Sequence, residues 1–184
     1  IFRTPHHERL RRDYRVPAWM VAKATSAAPT FFPTAREVDK LRLVDGGVWA
    51  NNPTLVAVAE AFGTLKVPLA DIHVFSIGTS DAVCHRKKRL GNGGLIAWGL
   101  ENVAVDVIMR GQSLGVHNQA TFLLGEDHIV RLDPKVAADE FSMDGVLKAD
   151  DLIAKAAHHS RIFMPTFTSR FANHRAAHYE PEYS

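Results

Sequence analysis

Between Leu41 and Pro53 the chain reads Leu-Arg-Leu-Val-Asp-Gly-Gly-Val-Trp-Ala-Asn-Asn-Pro, a run that few folds accommodate. The aliphatic residues of Leu41–Val44 predict a short strand, with Asp45 at its carboxyl end. Gly46 and Gly47 then suit a turn that a side chain would obstruct. Asn52-Pro53 reads as a helix entry, Asn as the cap and Pro at the first helical position. Open α/β sheets place their working groups where a buried strand ends on such a corner. Asp and Gly are also ordinary turn residues, so Asp45 equally reads as a turn cap. These residues alone leave both readings standing.

The rest of the chain alternates strand and helix. Pro17 opens a small-sided helix over residues 18–28, closed by Pro29, and Thr30-Phe31-Phe32-Pro33 follows as a loop too apolar for free solvent. Residues 53–63 form a helix with Leu55, Val58, Ala59 and Phe62 on one stripe. A second strand spans Ile72–Ile77 and runs into Gly78-Thr79, and residues 81–94 read as an exposed loop. A long helix is expected over 95–123, a third strand over 128–132 and a last helix over 148–163, with a tail beyond Pro165. Apolar strands alternating with helices predict an α/β fold with a mainly parallel sheet covered on both faces. Three strands are few for such a sheet, so either further strands escape periodicity or the sheet is incomplete.

Composition removes several function classes. A chain of 184 residues suits one domain with a genuine core. Its net charge of +2 gives no electrostatic argument for nucleic acid. No apolar run approaches the length that crosses a bilayer. The single Cys84 excludes an internal disulfide and fits a reducing, cytoplasmic setting. Of the ten histidines, His6-His7, His158-His159 and the pair His174/His178 come nearest to ligand spacing. None belongs to a zinc pattern, so no metal or cofactor is expected. The basic stretches at 9–15 and 85–89 read as solvated faces, with anionic lipid headgroups as the functional alternative.

Ala24-Thr25-Ser26-Ala27-Ala28-Pro29-Thr30-Phe31-Phe32-Pro33, followed by Leu43-Val44-Asp45-Gly46-Gly47 and Asn51-Asn52-Pro53, resembles the patatin-like phospholipase family. The likeness continues through Ser76-Ile77-Gly78-Thr79, the helix through Asp106 to Gln119 and the Ile129–Pro134 strand, covering most of residues 1–165. It implies a three-layer α/β/α sandwich, here incomplete, and a serine acyl hydrolase with a Ser-Asp dyad. Asp45 matches the dyad aspartate, and Gly46 and Gly47 complete its motif. The implied substrate is a phospholipid or other acyl lipid, met by peripheral contact with a membrane. The implied division is a C-terminal part of the catalytic domain over 1–165 and a tail over 166–184.

In that family a Gly-x-Ser-x-Gly elbow and a glycine-rich oxyanion loop precede the alanine block, and neither occurs before it here. A chain that opens on Ile1 is therefore expected to be a processed product or a fragment, holding the base without its nucleophile and inactive alone. Gly111-Gln112-Ser113-Leu114-Gly115 satisfies the nucleophile pattern literally, yet it lies in a helix-spaced region instead of between strand and helix. Ser113 is accordingly read as a helix residue, and Ser26 as a packing residue. Two rivals remain: a noncatalytic lipid-binding or interaction module on the same scaffold, and a self-contained hydrolase using Ser113.

Overall fold

The computed structural model describes residues 1–29, 31–83, 103–137, 140–141 and 145–178. They fall into two compact units, one from Ile1–Ile72, Val105–Leu123 and His178–Ser184, the other from His73–Ala104 and Leu124–Ala177. The basic residues 85–89 and the first part of the expected long helix lie outside the described residues.

In the first unit, helix α1 (Ala18–Thr25) follows Pro17 and stops before Pro29. Alanine makes its buried contact: Ala24, Ala27 and Ala35 form a core cluster against which Phe2 and Leu43 pack. Side chains this small let one backbone lie close against another. Ala35 and Leu43 exchange both backbone hydrogen bonds at 2.9 Å, an isolated antiparallel bridge. Asp39 and Lys40, with φ of 49° and 58°, reverse the chain between them. The expected strand over Leu41–Val44 is thus reduced to a single paired position. A left-handed turn on one side and the Asp45 corner on the other leave no room for a longer ladder. Arg12 pairs with Asp39 at 3.1 Å, and Lys23 pairs with Glu37, holding the hairpin to the chain before it.

A one-turn helix α2 (Gly47–Ala50) precedes α3 (Thr54–Gly63). Thr54 and Val58 are its buried residues, whereas Ala59 and Phe62 face outward, so the buried stripe is rotated from the expected one. Buried Asn52 turns Thr54 inward and sets that phase. On the same helix, Glu60 accepts a hydrogen bond from His6 Nε2 at 2.8 Å and lies 3.2 Å from the Arg3 guanidinium. The His6 hydrogen bond, helped by Thr64 and Arg3 against a desolvation cost, holds the Glu60 carboxyl below its ordinary value of 4.5. Its stabilisation is therefore full above that value and fades as pH falls through the lowered one. Glu60→Gln is expected to melt below the parent at neutral pH, with the gap closing under acid. A gap that persists undiminished well below pH 4.5 would contradict this account. Helix α4 is described from Val103 to Leu124.

The second unit holds two parallel strand pairs. Strand β1 (Val74–Ile77) pairs with β3 (Ile129–Leu132) in the register Val74↔Ile129 to Ile77↔Leu132. Strand β2 (Asp81–Val83) pairs with β4 (Lys135–Ala137). The links between the pairs keep hydrogen bonding: Gly78 N–H donates to Leu132 O at 2.8 Å and Asp81 N–H to Pro134 O at 3.0 Å. Residues 81–83 are thus strand where a loop was expected. The α/β class read from the sequence holds, with parallel pairs that require crossover connections.

Helix α5 (Ala149–Arg170) runs through Pro165, beyond the expected end near Phe163. Proline removes one helical hydrogen bond. Phe163, Phe167 and Phe171 nevertheless lie one turn apart and all pack against Phe75, the first stacked and the others tilted, with ring centroids 5.5, 5.1 and 5.4 Å away. Each such pair is worth about 0.5–1.5 kcal/mol beyond its burial. The contacts on both sides of Pro165 carry the helix across it.

Candidate functional site

Asp45 is held from its own backbone outward. Its N–H donates to Ala27 O at 3.0 Å, tying the corner to the alanine segment. Its carbonyl accepts from Val48 N–H at 3.2 Å, and its Oδ1 accepts from Gly47 N–H at 2.7 Å. The turn-capping reading therefore describes one of the two carboxylate oxygens, which satisfies an amide at the start of α2. Oδ2 has no hydrogen-bond partner among the described residues, and the side chain is half-buried. One oxygen is anchored, and the other makes no hydrogen bond among the described residues.

The two glycines differ in what they do. A Cβ on Gly47 would stand 3.2 Å from Asp45 Oδ1 and 4.0 Å from Met109 Cε, so close approach explains glycine there. Gly46 has φ of −62°, and no described atom lies within 4 Å of where its Cβ would be. The expectation of an obstructed turn is met at Gly47 and corrected at Gly46.

Beyond the corner, Asn52 is 2% exposed and uses its side chain fully. Its Oδ1 accepts from Thr54 N–H at 3.1 Å and from the Thr54 hydroxyl at 2.6 Å, so it bonds the first residue of α3, while the cap position falls on Pro53, one residue later than expected. Its Nδ2 donates to Ser113 O at 3.1 Å. In return Gln112 Oε1 accepts from the Asn52 N–H at 3.0 Å, and Gln112 Nε2 donates to Asn52 O at 3.5 Å. The Gln112 contact was not visible in the sequence.

Ser113 lies inside α4, between residues that are helical on both sides. A nucleophile elbow needs a strand before it and a helix after it. Ser26 is exposed just past α1 and donates from Oγ to Ala22 O at 2.8 Å, a bond that closes the helix and does not pack a core. Among the described residues, no group of three or more His, Cys, Asp or Glu is placed to hold a metal ion. No helix among them is long and apolar enough to cross a membrane.

Parallel strand pairs among helices define an α/β chain. The chain belongs to the patatin-like phospholipase family. It is 28% identical to a cGAMP-activated phospholipase of Vibrio cholerae serotype O1, over 93% of this chain and 52% of that protein. To a cGAMP-activated phospholipase of Pseudomonas aeruginosa it is 33% identical, over 76% of this chain and 41% of that protein. Patatin-like protein 1 of Arabidopsis thaliana is 31% identical, over 72% of this chain and 37% of its own length. The chain thus spans about half, or less, of the length of these curated relatives. No established family profile matches it, and no solved structure does.

Proposed function

We infer that the chain is the aspartate-bearing part of a serine acyl hydrolase that cleaves carboxylic esters of membrane phospholipids. The observation that carries this is the Asp45 carboxylate, with Oδ1 held by Gly47 and Oδ2 unpartnered among the described residues, on the family's Asp-Gly-Gly motif. In the proposed step a serine hydroxyl oxygen attacks the ester carbonyl carbon while its proton passes to Asp45 Oδ2. The proton then goes to the leaving alkoxide as the acyl–serine ester forms. Water attacks that ester in the second half, gives its proton to Asp45, and restores the serine as the fatty acid departs. Gly46 and Gly47 carry the corner, and no metal or cofactor enters either half.

The serine and the oxyanion donors are assigned to a part of the protein outside residues 1–184, since the chain matches only about half, or less, of the length of its curated relatives. Exposed apolar residues near the site support a covering element or lipid surface there. Val44 and Val48 flank Asp45 with about half of their surface in solvent, Trp49 is 58% exposed, and Phe31 and Phe32 are exposed as well. The expectation that the Phe31-Phe32 loop avoids solvent is not met within the described residues. Working at a membrane surface from the cytoplasm, as a peripheral protein, fits the substrate class.

The test uses the complete natural polypeptide, phosphatidylcholine vesicles and a fluorophosphonate probe followed by peptide mapping. Fatty acid release and a label on a serine outside residues 1–184 are expected. Label on Ser113 would make the chain a self-contained hydrolase. Absence of both release and label would leave a noncatalytic lipid-binding module.

A further inference from the structure

The Asp45 corner has no long ladder of its own to hold it. Before it stands a single β-bridge at Leu43, and after it a one-turn helix. Beyond the bonds that Asp45 itself makes to Ala27, Val48 and Gly47, these elements are short and closed by few hydrogen bonds, and such elements open readily. The next fixed point along the chain is Asn52. There Gln112 pairs with both main-chain polar groups of one residue, N–H at 3.0 Å and C=O at 3.5 Å, as a neighbouring strand would. Asn52 answers through Nδ2 to the Ser113 carbonyl at 3.1 Å. The partners are 60 and 61 residues apart in sequence, and on the α4 side they belong to a helix of 22 residues. On the same helix, Met109 Cε lies 4.0 Å from where a Cβ on Gly47 would stand. Helix α4 therefore passes near the corner at Gly47 and is hydrogen-bonded to the chain at Asn52.

We propose that Gln112 is the positioning residue of the Asp45 site: its side-chain amide clamps residue 52 to α4 and fixes the loop from which Asp45 presents Oδ2. This rests on the reading of Asp45 as the proton acceptor. The clamp acts through the placement of Asp45, so its loss is expected in turnover. A misplacement of about 1 Å in a reacting group costs about 10²-fold in rate.

The experiment uses the complete polypeptide carrying Gln112→Met, which keeps length and helix propensity and removes both hydrogen bonds. Gln112→Glu is the conservative variant, since it keeps the acceptor for the Asn52 N–H. Expected results are a kcat about 10–100-fold lower for Gln112→Met with KM nearly unchanged, and partial recovery in Gln112→Glu. Amide hydrogen exchange over residues 45–52 is expected to quicken in Gln112→Met, and to do so equally in an Asp45→Asn background. Unchanged exchange, unchanged kcat, or a Gln112→Glu no better than Gln112→Met would each overturn the clamp. The exchange readout does not depend on catalysis. If Asp45→Asn itself stays active, the acceptor assignment fails while the exchange result still reports on the clamp. Should Gln112→Met fail to fold, Gln112→Glu against the parent decides by the same kcat, KM and exchange measurements.

Discussion

Asp45→Asn in the complete polypeptide is expected to lower ester turnover by about 10²–10⁴-fold, the usual worth of general-base assistance, with folding nearly intact. The expectation of intact folding follows from the local bonds. The Gly47 N–H donates to Oδ1 at 2.7 Å, and an asparagine carbonyl oxygen accepts the same bond. The main-chain bond from residue 45 to Ala27 O does not involve the side chain. What the amide cannot do is take a proton at the second position, because its NH₂ is a donor. The substitution therefore keeps the turn and removes the proposed base. Circular dichroism and melting temperature close to the parent, together with a collapse of kcat, are the expected pair of readings. Near-parental hydrolysis by a folded Asp45→Asn protein would remove this carboxylate from the chemistry.

Gly78→Ala is expected to have the largest effect on stability. A Cβ there would stand 2.2 Å from Asp133 Oδ1 and 2.4 Å from Asp133 Cγ, well inside contact distance. The carboxylate is not free to swing aside. Asp133 Oδ2 accepts from Arg131 Nη2 at 2.6 Å and from Arg131 Nε at 3.1 Å, and Arg131 Nη1 donates to Ser76 Oγ at 2.7 Å. Gly78 in turn is tied to Leu132 O. Overpacking alone costs about 1–3 kcal/mol, and displacing Asp133 would add the disruption of a largely buried ion pair. Against a total stability of about 5–15 kcal/mol for a domain, that is a severe loss. A urea midpoint well below the parent is expected. Gly111→Ala serves as contrast, since nothing described lies within 4 Å of its Cβ position and alanine favours the helix by about 0.5–1 kcal/mol. Equal midpoints for Gly78→Ala and the parent would show that Asp133 yields at no cost.

What the sequence disclosed, and what it withheld, follows from the range of the forces involved. Strands β1 and β3 were legible because each is an apolar run bounded by turn residues. Strands β2 and β4 are three residues each, too short for any period to register, and exist by pairing with one another. Asn52 was legible as part of the entry to α3 because its bond to Thr54 acts within two residues, although the cap position itself falls on Pro53. Its bonds to Gln112 and Ser113 were not, since nothing local announces a partner 60 residues away. Proline at 165 read as a helix end, and locally it is one, but three phenylalanines on one ring outweigh the lost bond. The Asp-Gly-Gly corner was legible as a motif, yet only coordinates separate the anchored oxygen from the available one.

The Gly78–Asp133 contact has a consequence for how β1 and β3 find each other. Sliding β1 by one position along β3 would bring Ile77 or Thr79 to face the Asp133 carboxylate, each with a Cβ where none fits. It would also point the Ser76 hydroxyl away from the Arg131 guanidinium, because alternate residues face opposite sides of a strand. Segments 55 residues apart must meet by a slow, non-local search. With one glycine and one acid as its gauge, that search ends in a single alignment.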